Sequence, residues 1–330
     1  MEFLFAPMEG ITFALYRRIH HSLFPGMTEY YTPFIAPDSQ GSFKPKFLRE
    51  LTSDGEEYRV VPQLLVNNAA SFTLTAEKLV DLGFTEINLN VGCPSGTVYS
   101  KYKGAGMLRD LNRLDGILEQ IFSHAEQDGY QVSIKTRMGI HSTTEFSAVL
   151  DIYRKYPLAK LIIHARCRDD YYKGKPDIEA FREAVKQILC PVVYNGNVFS
   201  REALNDRCET TPGISSVMLG RGVVANPALC RWLAGGEQLE LQELKRFHDE
   251  LVRCWITDGL SPTFTMERMK TLWIYMQTMF PRNGKERKQI LKAKRLEEYQ
   301  YAVEVLFETA LFEPEQICQT NAGEALTTAR

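Results

Sequence analysis

Cys93 stands in the run Asn90-Val91-Gly92-Cys93-Pro94 of this 330-residue chain. A thiol in a short turn acts as nucleophile, base or acid, and the run alone leaves all three open. Lys135 and Arg137 flank Thr136. Alternate residues of a strand share a face, so both cations project the same way, where they could stabilise negative charge on a ring. The structural alternative is a buried ion pair with a carboxylate. His164 and Arg166 repeat that spacing, with a purely structural histidine as the alternative. Asn195-Gly196-Asn197 and Gly220-Arg221-Gly222 are phosphate-type turns: glycines let backbone N–H groups approach an anion, though they also serve ordinary tight turns. The run Lys101-Tyr102-Lys103-Gly104-Ala105-Gly106 reads as a flexible basic loop, either a lid or a solvated connection.

The elements that must position these residues are legible as short apolar runs. Strands are expected at Phe3–Ala6, Thr28–Tyr31, Val60–Leu65, Glu86–Asn90, Val132–Thr136, Leu161–His164, Val192–Asn195 and Val217–Leu219. Helical stretches such as Ala69–Leu82, Leu111–Gln127, Thr144–Tyr156, Ile178–Ile188 and Arg201–Cys208 lie between them. Eight strands alternating with helices predict an α/β fold, a closed (β/α)8 TIM barrel, over a doubly wound open sheet. The chemistry-bearing residues all fall at C-terminal strand ends, where barrel active sites are built. Beyond Gly235-Gly236 the pattern becomes helical, with expected helices at Leu239–Thr257, Thr263–Phe280, Lys285–Tyr301 and Ala302–Phe312. The predicted organisation is a barrel over 1–236, a small all-helical domain over 237–313 and a disordered tail over 314–330.

Arg282 to Arg295 carries seven basic residues and one acidic one. On a continuous helix Lys285, Lys288, Lys292 and Arg295 fall within roughly 80° of one another, with Tyr299 extending the stripe. Such a face suits a phosphate backbone, and a solvated helix face is the alternative. The net charge of −2 decides nothing about a nucleic-acid partner, which meets only a local patch. Seven cysteines without Cys-x-x-Cys spacing argue against a disulfide framework and a zinc site, and for a reducing cytoplasm. Pro7, Glu9 and Gly10 break the apolar opening, so neither a signal peptide nor a membrane span is expected.

Taken together these residues resemble the dihydrouridine synthase family of flavin enzymes. The likeness runs through Ala6-Pro7-Met8, Gln63, Asn90-Val91-Gly92-Cys93-Pro94, Gly104-Ala105-Gly106, Lys135-Thr136-Arg137, His164-Ala165-Arg166, Asn195-Gly196 and Gly220-Arg221-Gly222. It implies an FMN barrel reduced by NADPH, or by NADH, and a helical domain that binds tRNA. It implies that Cys93 protonates carbon 5 of a uridine while hydride reaches carbon 6. Carried over by position, Ala6, Pro7, Met8, Gln63, Lys135 and His164 hold the flavin ring and ribityl chain. Asn195, Gly196, Asn197, Gly220 and Arg221 surround its phosphate. Asn90, Lys135, Arg137 and Arg166 face the uracil, and Arg268, Lys270, Lys285, Lys288, Lys292 and Arg295 meet the RNA. No metal is implied, and a monomer is expected. Two positions depart from the family pattern: Cys167 where Thr is common, and Asn197 where a carboxylate is common. A flavin enzyme acting on a small cyclic molecule, and an RNA-binding barrel without catalysis, are the competing readings.

Overall fold

The computed structural model describes residues 1–38, 40–51 and 58–317, so Cys318 and most of the expected tail lie outside the described residues. Its strands are β1 (Glu2–Phe5), β2 (Glu29–Tyr31), β3 (Arg59–Val61), β4 (Gln63–Leu64), β5 (Glu86–Val91), β6 (Gln131–Arg137), β7 (Leu161–His164), β8 (Val192–Asn195) and β9 (Ser216–Leu219). They form one parallel sheet in the order β3-β2-β1-β9-β8-β7-β6-β5-β4. The two ends of that order are neighbours in sequence, separated only by Pro62. Proline has no N–H for the ladder, so the expected strand Val60–Leu65 splits there. The Pro62 carbonyl still accepts the Asn88 N–H at 2.9 Å. With β3 and β4 counted as one interrupted strand, the sheet is the eight-stranded barrel the sequence predicts.

The helices are α1 (Ala14–Leu23), α2 (Pro45–Leu51), α3 (Ala69–Asp81), α4 (Gly96–Tyr99), α5 (Leu111–Asp128), α6 (Phe146–Tyr153), α7 (Ile178–Gln187), α8 (Arg201–Thr210), α9 (Arg221–Ala225), α10 (Leu229–Leu233), α11 (Leu241–Thr257), α12 (Pro262–Met276), α13 (Gly284–Lys292) and α14 (Leu296–Thr309). Several begin where a side chain takes up an orphan N–H: Asn68 caps α3, Asp110 caps α5 and Asp177 caps α7. Gly129, at φ 72°, ends α5 in the left-handed conformation. No described helix is long and apolar enough to cross a membrane.

The chain forms two compact units. One comprises Met1–Pro7, Thr28–Asn197 and Asn205–Met218; the other comprises Met8–Met27, Val198–Leu204 and the described residues from Leu219 onward. In the first, alternate strand residues fill the barrel, including Leu4, Ala6, Tyr31, Val61, Ile162, Val193 and Met218, all buried. In the second, α1 meets α11 through Tyr16 and Phe24, whose rings each lie 5.5 Å from that of Phe247. Farther along, Tyr299 Oη joins His248 Nε2 at 2.6 Å and accepts from Trp273 Nε1 at 2.8 Å.

One helical expectation is corrected. Lys285–Tyr301 is not a continuous helix, because the chain leaves α13 at Ala293 and re-enters at Leu296. Lys270 Nζ donates to the Ala293 carbonyl and so satisfies an open C-terminal acceptor. Glu297 and Glu298 occupy the first turn of α14, where the helix dipole favours negative charge. Glu298 also accepts the Lys294 N–H at 3.1 Å.

Candidate active site

At the C-terminal end of β5, Asn90 holds the turn that presents Cys93. Its Oδ1 accepts the N–H of Gly92 at 3.0 Å and of Cys93 at 2.9 Å. Backbone N–H groups only donate, so Oδ1 is fixed as the acceptor and Nδ2 as the donor. The rest of a buried row follows from that choice. Asn90 Nδ2 donates to Gln63 Oε1 at 2.7 Å, Gln63 Nε2 to Asn88 Oδ1 at 2.8 Å, and Asn88 Nδ2 to Ser133 Oγ at 2.9 Å. Gln63, Asn88 and Ser133 have no solvent exposure. An unpaired polar atom there would cost about 1–3 kcal/mol, so the row also fixes the local geometry. Sequence reasoning found Gln63 and Asn90 but missed Asn88 and Ser133. Their signal was the alternation Glu86, Asn88, Asn90 along a strand expected to be apolar.

The segment after Cys93 corrects another expectation. Gly104–Arg109 is a 3-10 turn in which residues 104–108 are buried, not a flexible loop. Ala105 donates to the Cys93 carbonyl at 3.1 Å. A Cβ on Gly104 would lie 2.8 Å from that of Cys93, and one on Gly106 would lie 2.6 Å from the Tyr99 carbonyl oxygen. Gly104 also sits at φ 55°, so glycine answers both the crowding and the backbone. Cys93 itself is half-buried.

Asn90 is in register with Lys135 on β6. Lys135 Nζ donates to Asn195 Oδ1 at 3.0 Å, and Asn195 Nδ2 in turn donates to the Met218 carbonyl at 2.8 Å. Burial pushes the Lys135 ammonium down to about 7; the like charge of Arg137 adds to the fall and Cys93 opposes it. Arg137 is buried and grips backbone: Nε reaches the Gly92 carbonyl at 3.0 Å, Nη1 that of Cys167 at 2.6 Å and Nη2 that of Tyr171 at 2.6 Å. Neither cation has a carboxylate ion pair among the described residues. Arg166 acts likewise, donating to the carbonyls of Lys173 at 3.1 Å and Gly174 at 2.7 Å. It also donates to His164 Nε2 at 3.2 Å, so that nitrogen bears the lone pair and the ring proton sits on Nδ1. Cys167 is buried, which pushes its thiol up to about 12 and makes it inert.

Of the remaining sequence candidates, Ala6 continues the inward alternation of Leu4 in the first unit, and Pro7 follows it in the chain. Gly196 (φ 150°) and Asn197 (φ 41°) turn the chain after β8. In the second unit, Met8 N–H donates to Thr12 Oγ1 at 2.9 Å, and Gly220 caps α9 at φ −127°, ψ −101°. Arg221 lies 5.7 Å from the Phe199 ring. Gly222 is required by packing, since a Cβ would lie 2.7 Å from Leu229. Arg268 stacks 3.9 Å from Phe13 and 5.5 Å from Trp255. Lys270 holds Glu267 at 2.9 Å as well as Ala293. The four-residue basic stripe is reduced: Lys285, Lys288 and Lys292 remain exposed on α13, whereas Arg295 precedes α14 and pairs with Glu298 at 2.9 Å. Tyr299 is buried and does not extend the stripe.

Residues 4–298 match the family described as dihydrouridine synthase (Dus). A probable tRNA-dihydrouridine synthase of Staphylococcus aureus is 28% identical over 284 residues, covering 82% of this chain and 84% of that protein. A tRNA-dihydrouridine(16) synthase of Shigella flexneri is 28% identical over 255 residues, covering 70% and 75%. Among solved structures, morphinone reductase superposes with a TM-score of 0.50 at 12% identity, covering 72% of this chain and 87% of that one. A 2-naphthoyl-CoA reductase complex gives 0.54 at 10% identity, covering 71% and 50%. These two structures share the barrel fold with it. The chain belongs to the dihydrouridine synthase family.

Proposed function

We propose that this protein reduces uridines of tRNA to 5,6-dihydrouridine with FMN as cofactor and NADPH as reductant, and that it works as a cytoplasmic monomer. The observation that carries the reading is the pairing of a backbone-anchored Cys93 turn with a half-buried Lys135 whose hydrogen-bond partner is the Asn195 amide, with no carboxylate ion pair among the described residues. A lysine enclosed without a carboxylate suits an anionic or electron-rich ring, which is what a reduced flavin offers. Gln63, Lys135, His164 and Asn195 would hold that cofactor's ring and ribityl chain, with Gly196 at its phosphate. The sequence-based assignment of Gly220 and Arg221 to the phosphate belongs to the same proposal. When bound, FMN supplies the hydride that carbon 6 of the uracil receives.

The chain's own residues do the rest. Cys93 carries the proton for carbon 5, and Asn90 fixes the thiol's position through two backbone amides. Lys135 stabilises negative charge developing on the uracil carbonyls. Arg137 ties the Cys93 turn to the Tyr171 segment, which makes it a positioning residue, unlike the uracil contact the resemblance implies. Helices between residues 237 and 313 offer Lys285, Lys288 and Lys292 to RNA phosphates. The target base must leave its stack to reach a site of this kind.

Purified protein should be yellow and should raise dihydrouridine in unmodified tRNA when NADPH is supplied. Colourless protein that cannot be reconstituted with FMN overturns the proposal.

A further inference from the structure

A series of arginine and tyrosine side chains borders the Cys93 turn, and none of the roles above uses it. Arg113, in the first turn of α5, lies 4.8 Å from the centroid of the Tyr102 ring. Arg109 covers the same ring at 3.6 Å and Tyr99 at 4.6 Å. Arg168, from the segment after β7, lies 4.2 Å from Tyr99 and 5.2 Å from Tyr171, and donates to Tyr171 Oη at 3.2 Å. Two segments far apart in sequence thus build one stack, all of it within the barrel unit.

Core packing does not explain it. Tyr102 and Tyr171 adopt φ of 54° and 51°, a conformation unfavourable to any residue with a Cβ. Each of the two residues is nevertheless 37% exposed. Two strained positions therefore hold aromatic rings out in water. The surroundings are basic, with Lys101, Lys173 and Lys175 exposed on the same two segments. The neighbouring carboxylates are occupied: Asp110 caps α5, Asp170 accepts the Cys167 N–H at 2.7 Å, and Asp169 pairs with Arg168 and His141. Burial and the like charge of Lys101 hold the Lys103 ammonium below its ordinary range, a strain that a bound anion would relieve.

The stack is also tied to the site from both sides. Arg109 Nε donates to the Gly106 carbonyl at 3.4 Å, within the turn that packs on Cys93. Arg137 joins the carbonyls of Gly92 and Tyr171. We propose that this Arg–Tyr stack is a platform for the unpaired nucleotides flanking the uridine that is reduced. Bases lie on the open ring and guanidinium faces, and phosphates meet Arg113, Lys101 and Lys103. Such faces accept any base, so the platform holds the strand without reading its sequence. This inference rests on the RNA reading above and adds where the single-stranded part of the substrate lies.

The test is equilibrium binding of unmodified tRNA to FMN-loaded protein, with thermal midpoints measured alongside. Tyr102→Gly and Tyr171→Gly should each weaken binding about tenfold. Their Tm should hold or rise, because glycine accepts the positive φ without strain. Tyr102→Phe and Tyr171→Phe, which keep the ring face, should bind as wild type does. Arg113→Gln should lower the slope of log affinity against log salt by about 1, while the tyrosine variants leave it unchanged. Glycine variants that lose Tm yet bind tRNA normally would make the stack a structural staple and overturn the inference. A wild type that forms no dihydrouridine in tRNA would instead overturn the function on which it rests.

Discussion

At the N-terminal ends of its strands the barrel buries Glu29, Glu86 and Lys160 together, whereas at the C-terminal ends it encloses Lys135 among amides. Lys160 Nζ lies 2.5 and 2.6 Å from the two Glu29 oxygens and 3.3 Å from Glu86. Arg59 joins the same two carboxylates at 3.4 and 2.5 Å, and Tyr31 donates to Glu29 at 3.0 Å. Each of these four charged groups has an opposite charge beside it. A cavity of about 600 Å³ opens there, lined by Tyr58, Arg59, Phe84 and Glu86 among others. At the other end Lys135 has Asn195 and, among the described residues, no carboxylate partner. Along β5 the inward residues pass from Glu86 through Asn88 to Asn90, so one strand spans both regimes. Charge paired with charge marks one end of the barrel; a lysine held by an amide marks the other.

The sharpest way to break this comparison is Cys93→Ala. It should lower uridine reduction on tRNA by about 10²–10⁴ while FMN content and stability hold. Single-turnover oxidation of the reduced protein by tRNA measures this, and unchanged turnover would reassign the proton donor. At the opposite end, Lys160→Met leaves the buried Glu29 and Glu86 with only the half-exposed Arg59 as a cationic partner. It should destabilise the protein by about 3–5 kcal/mol in a urea melt, with turnover per folded molecule unaltered. A loss of turnover there would erase the functional difference between the ends.

Lys135→Met gives a subtler contrast, read as stability against pH in the FMN-free protein. The folded ammonium titrates near 7 and the ordinary lysine value is 10.5. Between those values the unfolded chain holds a proton the folded one lacks, so stability rises with pH across that window and levels above it. The variant should lose that rise; an unchanged slope would show that Lys135 is not enclosed in solution. The smallest effect belongs to α13. Reversing Lys288 and Lys292 to Glu should weaken tRNA binding and flatten its salt dependence, and an unaltered slope would make them a solvated face.

Most of the barrel was legible because parallel strands buried on both faces appear as short apolar runs. Pro62 could be seen in the sequence, but not that the ladder would close around it. The interruption of the last basic helix was written in Lys292-Ala293-Lys294-Arg295-Leu296-Glu297-Glu298, where cations end one helix and carboxylates begin the next. Counting faces on an unbroken helix hid it. Cys93, Lys135 and Asn195 were found as residues, yet the work of Arg137 and Arg166 was not, because their acceptors are backbone carbonyls of other segments. No spacing rule reports a carbonyl brought close by folding. The Arg–Tyr stack escaped for the same reason, since its members come from two distant stretches that look unremarkable apart.

The hydrogen-bonded row from Cys93 to Ser133 has a direction, and one side chain in it carries that direction onward. Because the amides of Gly92 and Cys93 point at Asn90, each following side chain must accept at one end and donate at the other. An ionised glutamate at position 63 could still take the Asn90 amide proton but would have none to pass to Asn88, so the Asn88 amide would turn over and the Ser133 hydroxyl would become the donor. The polarity of the whole row therefore hangs on the single amide of Gln63, which keeps the Ser133 oxygen an acceptor and the lining of the barrel mouth free of a further carboxylate.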